Sequence, residues 1–169
     1  HWRAIYADTA MKDKQQNDWS VFQEWGLGRD GRPYLIAQLR AKWEAPELEV
    51  AAREFWKAAF ARPIHIFGPL RAMNVEDKVS GTGLIQKLRR ERIPVVGIER
   101  DKDKVQRAND VTPYLAVNPI MLHEDADWLQ TYMDELLSFP RAANDDQVDP
   151  TVDAIKDLLA GGVPLTSWV

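Results

Sequence analysis

The chain predicts an α/β domain: a mixed sheet, built from a three-strand antiparallel meander plus parallel strands, with helices on its flanks. Three observations carry this reading. Strand-like runs occupy residues 2–8, 19–26 and 33–39, and Asp30-Gly31 supplies turn chemistry between the second and third. From Pro46 to Phe60 the apolar residues Leu48, Ala51, Ala52, Phe55 and Ala59 fall at three- and four-residue steps, the period of a helix face. A helical stretch, Ser80 to Arg90, then lies between the strand candidates 70–76 and 94–98, and a helix between two strands is the crossover that parallel pairing requires.

Each element has a local reason. Trp2 to Asp8 is aromatic and aliphatic and ends on a carboxylate, after which a polar stretch runs from Thr9 to Asp18. Pro46 suits the first turn of the first helix, because its missing N–H would be unpaired there anyway. Leu70 to Glu76 again ends on acid, and Ser80 is placed to cap the next helix. Residues 124–138 put Trp128, Leu129, Tyr132, Met133, Leu136 and Leu137 on one side of a helix. After a loop at 139–144, a last helix is expected from about Asp146 to Leu159, stopped by Gly161-Gly162. With 169 residues, no internal repeat and no low-complexity linker, one domain spanning 1–169 is expected.

Composition narrows the chemistry. The chain has no cysteine, which removes disulfides, thiolate nucleophiles, zinc knuckles and iron–sulfur clusters. It has no G-x-x-x-x-G-K-[ST] motif, so no P-loop. No apolar run reaches the ~18–20 residues of a membrane helix, and the N-terminus lacks a signal-peptide plan, so a soluble protein without a membrane partner is expected. The formal charge of −4 argues mildly against nucleic acid, but the average conceals a division. Residues 78–107 hold nine basic and four acidic side chains, while residues 123–157 hold ten acidic and two basic ones.

Carboxylates cluster at three separated places: Asp8 ending the first strand, Glu76 and Asp77 ending the fourth, and Asp145, Asp146 and Asp149 at the mouth of the last helix. Strand ends and a helix N-terminus can converge on one sheet edge, where carboxylates repel unless a hard cation such as Mg²⁺ or Mn²⁺ sits between them. The same acids also serve as helix caps and loop starters, so the cluster gains meaning only if the fold joins it. His65 and His123 stand alone, without a second histidine at a ligand spacing. Gly81-Thr82-Gly83 resembles a phosphate-cradling turn, though its glycines also allow backbone to approach closely beside Glu76.

Taken in order, Asp8-Thr9-Ala10, Asn17-Asp18-Trp19-Ser20, Val75-Glu76-Asp77-Lys78-Val79-Ser80-Gly81 with Leu84-Ile85-Gln86, Asp103 to Ala108, and Phe139-Pro140 with Asp145-Asp146-Gln147-Val148-Asp149 resemble the C-terminal nuclease domain of the tailed-bacteriophage terminase large subunit. The resemblance implies an RNase H-like fold and an endonuclease that cuts concatemeric viral DNA during packaging, using two Mg²⁺ or Mn²⁺ ions. Carried onto this chain, it implies Asp8, Glu76 and Asp146 as catalytic metal ligands, with Asp145 and Asp149 in support. Asp77 is the alternative to Glu76, but neighbours on a strand face opposite ways and the spacing to Gly81 favours Glu76. Many relatives carry His where this chain has Asn144, and Pro150 replaces a small helix former, so the last helix could start later than drawn.

Lys78, Lys87, Arg89, Arg90, Lys102 and Lys104 are the expected grip on double-stranded DNA. The resemblance also implies that the chain is the nuclease part of a longer polypeptide whose N-terminal packaging ATPase domain is a partner, with the portal and the small terminase subunit as further partners. The competing readings are another RNase H-like nuclease, of the resolvase or transposase kind, and a non-catalytic module that docks to portal or ATPase.

Overall fold

The computed structural model describes residues 1–10 and 19–160. Its elements are β1 (Trp2–Asp8), β2 (Ser20–Leu27), β3 (Pro33–Ala41), α1 (Ala45–Phe60), α2 (Ile64–Phe67), β4 (Leu70–Glu76), α3 (Val79–Arg90), β5 (Val95–Ile98), α4 (Lys104–Val117), α5 (Leu129–Ser138) and α6 (Val148–Leu159). The strands form one sheet in the order β3-β2-β1-β4-β5. β1, β2 and β3 pair antiparallel, with Asp8 opposite Val21 and Ser20 opposite Ala41. β4 pairs parallel with β1 on one side and β5 on the other, so the expected mixed sheet is present.

Alternation along β1 decides the layering, because successive strand side chains face opposite ways. Ile5 and Ala7 join Phe22, Met73, Val75 and Val95 under α1 and α3, which contribute Leu48, Ala52, Trp56, Leu84, Ile85 and Leu88. Ala4 and Tyr6 face the other way, with Trp25 and Leu35, under α4, α5 and α6, which contribute Val111, Tyr132, Val148, Val152 and Ile155. β1 is therefore buried on both sides, which anchors Asp8 on the central strand of the sheet.

Several boundaries differ from the sequence reading. α3 begins at Val79 with Lys78 in the N-cap position, so Ser80 lies inside the helix rather than capping it. α5 starts at Leu129, not 124, and α6 at Val148, not 146, which agrees with the proline at position 150. α4 was not foreseen: Pro113 lies inside it and Val111 is its one fully buried residue, so it shows no apolar stripe. Asp103 caps it by accepting from Gln106 N at 3.0 Å. The Asn17-Asp18 motif and the Gly161-Gly162 stop lie outside the described residues.

Candidate metal centre

Parallel pairing places the C-terminal ends of β1, β4 and β5 on one edge of the sheet, and the functional side chains follow from that. Asp8 closes β1, Glu76 closes β4, and Arg100 follows β5 by two residues. Asp149 arrives from the first turn of α6, whose N-terminal dipole favours an acid there. All four meet: Arg100 Nη1 lies 3.0 Å from Glu76 Oε2, 3.4 Å from Asp149 Oδ2 and 3.6 Å from Asp8 Oδ1. Arg100 Nε and Nη2 both donate to Asp153 Oδ2, at 3.2 and 2.7 Å.

Glu76 rather than Asp77 turns inward. Asp77 is exposed and accepts from Thr82 Oγ1 at 2.7 Å, while Glu76 is buried with Lys78 Nζ 2.5 Å from its Oε1. Gly81 packs on the Glu76 main chain, so the glycine that the sequence reading set beside Glu76 is there for close backbone approach.

Asp149 is held from the outside as well, by Arg107 and by Lys104 Nζ at 3.2 Å. Burial pushes its carboxyl up, but Arg100, Lys104 and Arg107 outweigh that and hold it below the usual range. Asp8 has less cationic support. Burial, with Glu76 and Asp149 nearby, pushes it up to about 7 against the pull of Arg100 and Lys104. Burial works against the charge of Arg100, yet Asp153, Asp8, Asp149 and Glu76 raise its pKa further still.

Asp146, expected as a principal ligand, faces elsewhere: its Oδ2 lies 3.4 Å from Arg40 Nη2, which also reaches Glu135 Oε2 at 3.2 Å. The cause is the later start of α6. Asp146 sits in the turn before the helix, and Gln147, the N-cap residue, is pinned by Glu135 through N and Nε2, each at 2.6 Å. Gln38 Nε2 donates to Gln147 Oε1 at 2.6 Å, and Thr151 Oγ1 to Gln147 O at 2.7 Å. This buried network fixes the start of α6 against β3 and α5, and so the position of Asp149. Asp145 is exposed and paired with Lys104 Nζ at 2.8 Å.

The donor set suits a hard divalent cation. Its ligating atoms would all be carboxylate oxygens, and Arg100 Nη1 is buried among them without a hydrogen bond. Among the described residues no three acidic or histidine side chains are already gathered as a cage; Arg100 Nη1 lies among Asp8, Glu76 and Asp149.

The family model described as the terminase RNase H-like domain matches residues 5–158. The chain belongs to that family. Among solved structures, the human cytomegalovirus terminase nuclease domain superposes with a TM-score of 0.69 at 12% identity, covering 90% of this chain and 81% of that one, which shows a shared fold. No curated protein matches the sequence.

In this terminase domain the basic residues expected on DNA are mostly engaged. Lys87 pairs with Glu49, Lys102 with Asp110 at 2.6 Å, and Arg89 Nε donates to Val95 O at 3.0 Å; Arg90 is exposed. Lys78 and Lys104 pair with the site acids Glu76 and Asp149. Arg100 and Asp153 were not singled out as site residues in the sequence. The signal for Asp153 was available: Asp149, Asp153 and Asp157 recur every four residues, one face of α6. Among the described residues, no helix is long and apolar enough to cross a membrane.

Proposed function

We propose that this terminase domain is a divalent-metal-dependent endonuclease that hydrolyses phosphodiester bonds of double-stranded viral DNA concatemers during packaging. One observation carries the reading: Asp8, Glu76 and Asp149, from three elements far apart in sequence, converge on a single nitrogen at the C-terminal edge of the sheet. These three acids would hold Mg²⁺ or Mn²⁺, two ions in the full site, with Asp145 and Asp146 at its border. Bound there, the ions would stabilise charge on the attacked phosphate and lower the pKa of the attacking water.

The residues of the chain do the positioning. Strand β1, buried on both faces, fixes Asp8, and the close packing of Gly81 fixes the Glu76 backbone. Lys104 and Arg107 orient Asp149, and its approach to Arg100 Nη1 together with Asp8 and Glu76 makes it a better third ligand than Asp146, whose carboxylate turns to Arg40. Grip on the phosphates falls to basic groups at the same edge, so cleavage should be weakly sequence-selective and salt-sensitive. The domain would act as the nuclease part of a polypeptide that also carries the packaging ATPase, working with portal and small subunit in the host cytoplasm.

Plasmid nicking with Mn²⁺ or Mg²⁺ and with EDTA tests this. Asp8→Asn, Glu76→Gln and Asp149→Asn are each expected to fall to the EDTA background. Full activity in Asp8→Asn would overturn the assignment. Cleavage lost in Asp146→Asn but kept in Asp149→Asn would return the third role to Asp146.

A further inference from the structure

We infer that Arg100 is a resident cation of this site: its Nη1 lies at the place among Asp8, Glu76 and Asp149 that a divalent ion would take, and Asp153 is the carboxylate on which the guanidinium stays anchored when Nη1 yields. The inference rests on the reading that these acids bind a divalent ion, and it adds a competitor to that binding.

The two sides of the guanidinium differ. The Asp153 side is well bonded, with Nε and Nη2 donating to one oxygen at 3.2 and 2.7 Å. The other side is not: Nη1 makes no hydrogen bond, although three carboxylate oxygens from three elements lie 3.0–3.6 Å away and the side chain is only 2% exposed. A trigonal nitrogen carries two N–H groups in one plane, so it cannot address three oxygens arriving from different directions. A spherical cation can.

Charge explains why such an arrangement is kept. Four buried or half-buried carboxylates, Asp8, Glu76, Asp149 and Asp153, face one another, and among the described residues only Arg100 reaches all four. Lys78 meets Glu76, and Lys104 and Arg107 meet Asp149, from the periphery. Without a central cation the acids would repel and the edge would open. Arg100 therefore preserves the spacing of the ligands before metal arrives, and its charge must leave the centre when metal binds. Occupancy by one cation opposes the other, so Arg100 weakens the apparent metal affinity of a site it also holds together.

The test compares wild type, Arg100→Gln and Arg100→Lys without DNA, by Mn²⁺ titration followed by electron paramagnetic resonance and by thermal melting in EDTA and in saturating Mn²⁺. Arg100→Gln is expected to melt below wild type in EDTA, to gain more on adding Mn²⁺, and to bind Mn²⁺ on the order of tenfold more tightly; Arg100→Lys, which keeps a charge, should lie between the two. An arginine that is merely structural would lower melting equally with and without Mn²⁺, and that result, or Mn²⁺ affinity in Arg100→Gln equal to or below wild type, overturns the inference. If Arg100→Gln does not fold in EDTA, folding restored by Mn²⁺ supports the inference and failure of Mn²⁺ to restore it counts against it. Wild type that is folded yet binds no Mn²⁺ overturns the metal reading itself, and the inference with it.

Discussion

Gly81 lies directly on the Glu76 carbonyl: a β-carbon at position 81 would fall on the Glu76 oxygen, well inside contact distance, with Val75 Cγ1 3.6 Å away. The first turn of α3 is thereby pressed against the end of β4, and the inward Glu76 is set by that contact. Gly81→Ala is expected to destabilise the domain by about 1–3 kcal/mol, since overpacking against backbone outweighs the roughly 1 kcal/mol that alanine gains in a helix. Gly83, two residues on in the same helix, has open space at its β-carbon. Gly83→Ala should therefore stabilise by about 0.5–1 kcal/mol. Urea unfolding of both variants checks the contrast, and equal signs would refute it.

Glu135 is expected to affect the proposed metal site although it pairs with none of its acids. It is buried, accepts from Gln147 N and Nε2, and faces Arg40 at 3.2 Å. Glu135→Ala leaves a half-buried guanidinium and the buried Gln147 amide without that partner, at a cost of about 3–5 kcal/mol. Because Gln147 sets the start of α6, the same variant should also weaken Mn²⁺ binding through displaced Asp149. Unfolding and Mn²⁺ titration together check this; weakened stability with unchanged Mn²⁺ affinity would separate the network from the site.

The parts of this site that local patterning controls were legible in the sequence. Asp8 and Glu76 could be placed because alternation identifies the strands and parallel neighbours end on the same edge. Asp149 was ranked below Asp146 because the choice depends on where α6 begins, and two residues of helix start decide which acid meets Asp8 and Glu76 at Arg100 and which meets Arg40. Arg100 counted as one more charge on a basic stretch, since a charge tally is blind to burial and this side chain is enclosed. The Gln38–Gln147 bond joins residues 109 apart, and no local signal announces it. α4 escaped notice for the opposite reason, having Pro113 inside and too few buried residues to show a period.

Tyr6 sets an alkaline limit on stability. It is fully buried under α6, and its hydroxyl donates to Asp157 Oδ2 at 2.5 Å. Burial, reinforced by Asp157 and Asp153 and only partly offset by Arg71, raises its pKa well above 10. The folded state thus holds this proton more tightly than the unfolded chain, so the contribution is complete below pH 10 and is lost as pH rises beyond it. Tyr132, raised by burial, acts in the same direction. Tyr6→Phe should flatten part of the fall in stability above pH 10, and should cost about 1–3 kcal/mol near neutrality because Asp157 loses its donor. Denaturation curves at pH 7 and above pH 10 check both signs.

A contact with the substrate is expected at the opposite end of the same edge. Lys42 follows β3, whose Ala41 pairs with Ser20, while Val21 pairs with Asp8, so Lys42 stands on the edge that carries the acids. It is exposed and lies 4.9 Å from the Trp19 ring centre, with the Arg40 guanidinium 4.3 Å from that ring. No carboxylate pairs with Lys42 among the described residues, in contrast to Lys102, whose charge Asp110 already matches. Lys42→Ala should therefore weaken duplex binding about equally across sequences and reduce the salt dependence by about one phosphate contact, with stability changed by less than about 0.5 kcal/mol. Lys102→Ala, which leaves Asp110 behind, should shift the salt slope less. Fluorescence anisotropy over a KCl series measures both, and an unchanged slope in Lys42→Ala would remove this corner of the sheet from the path of the DNA.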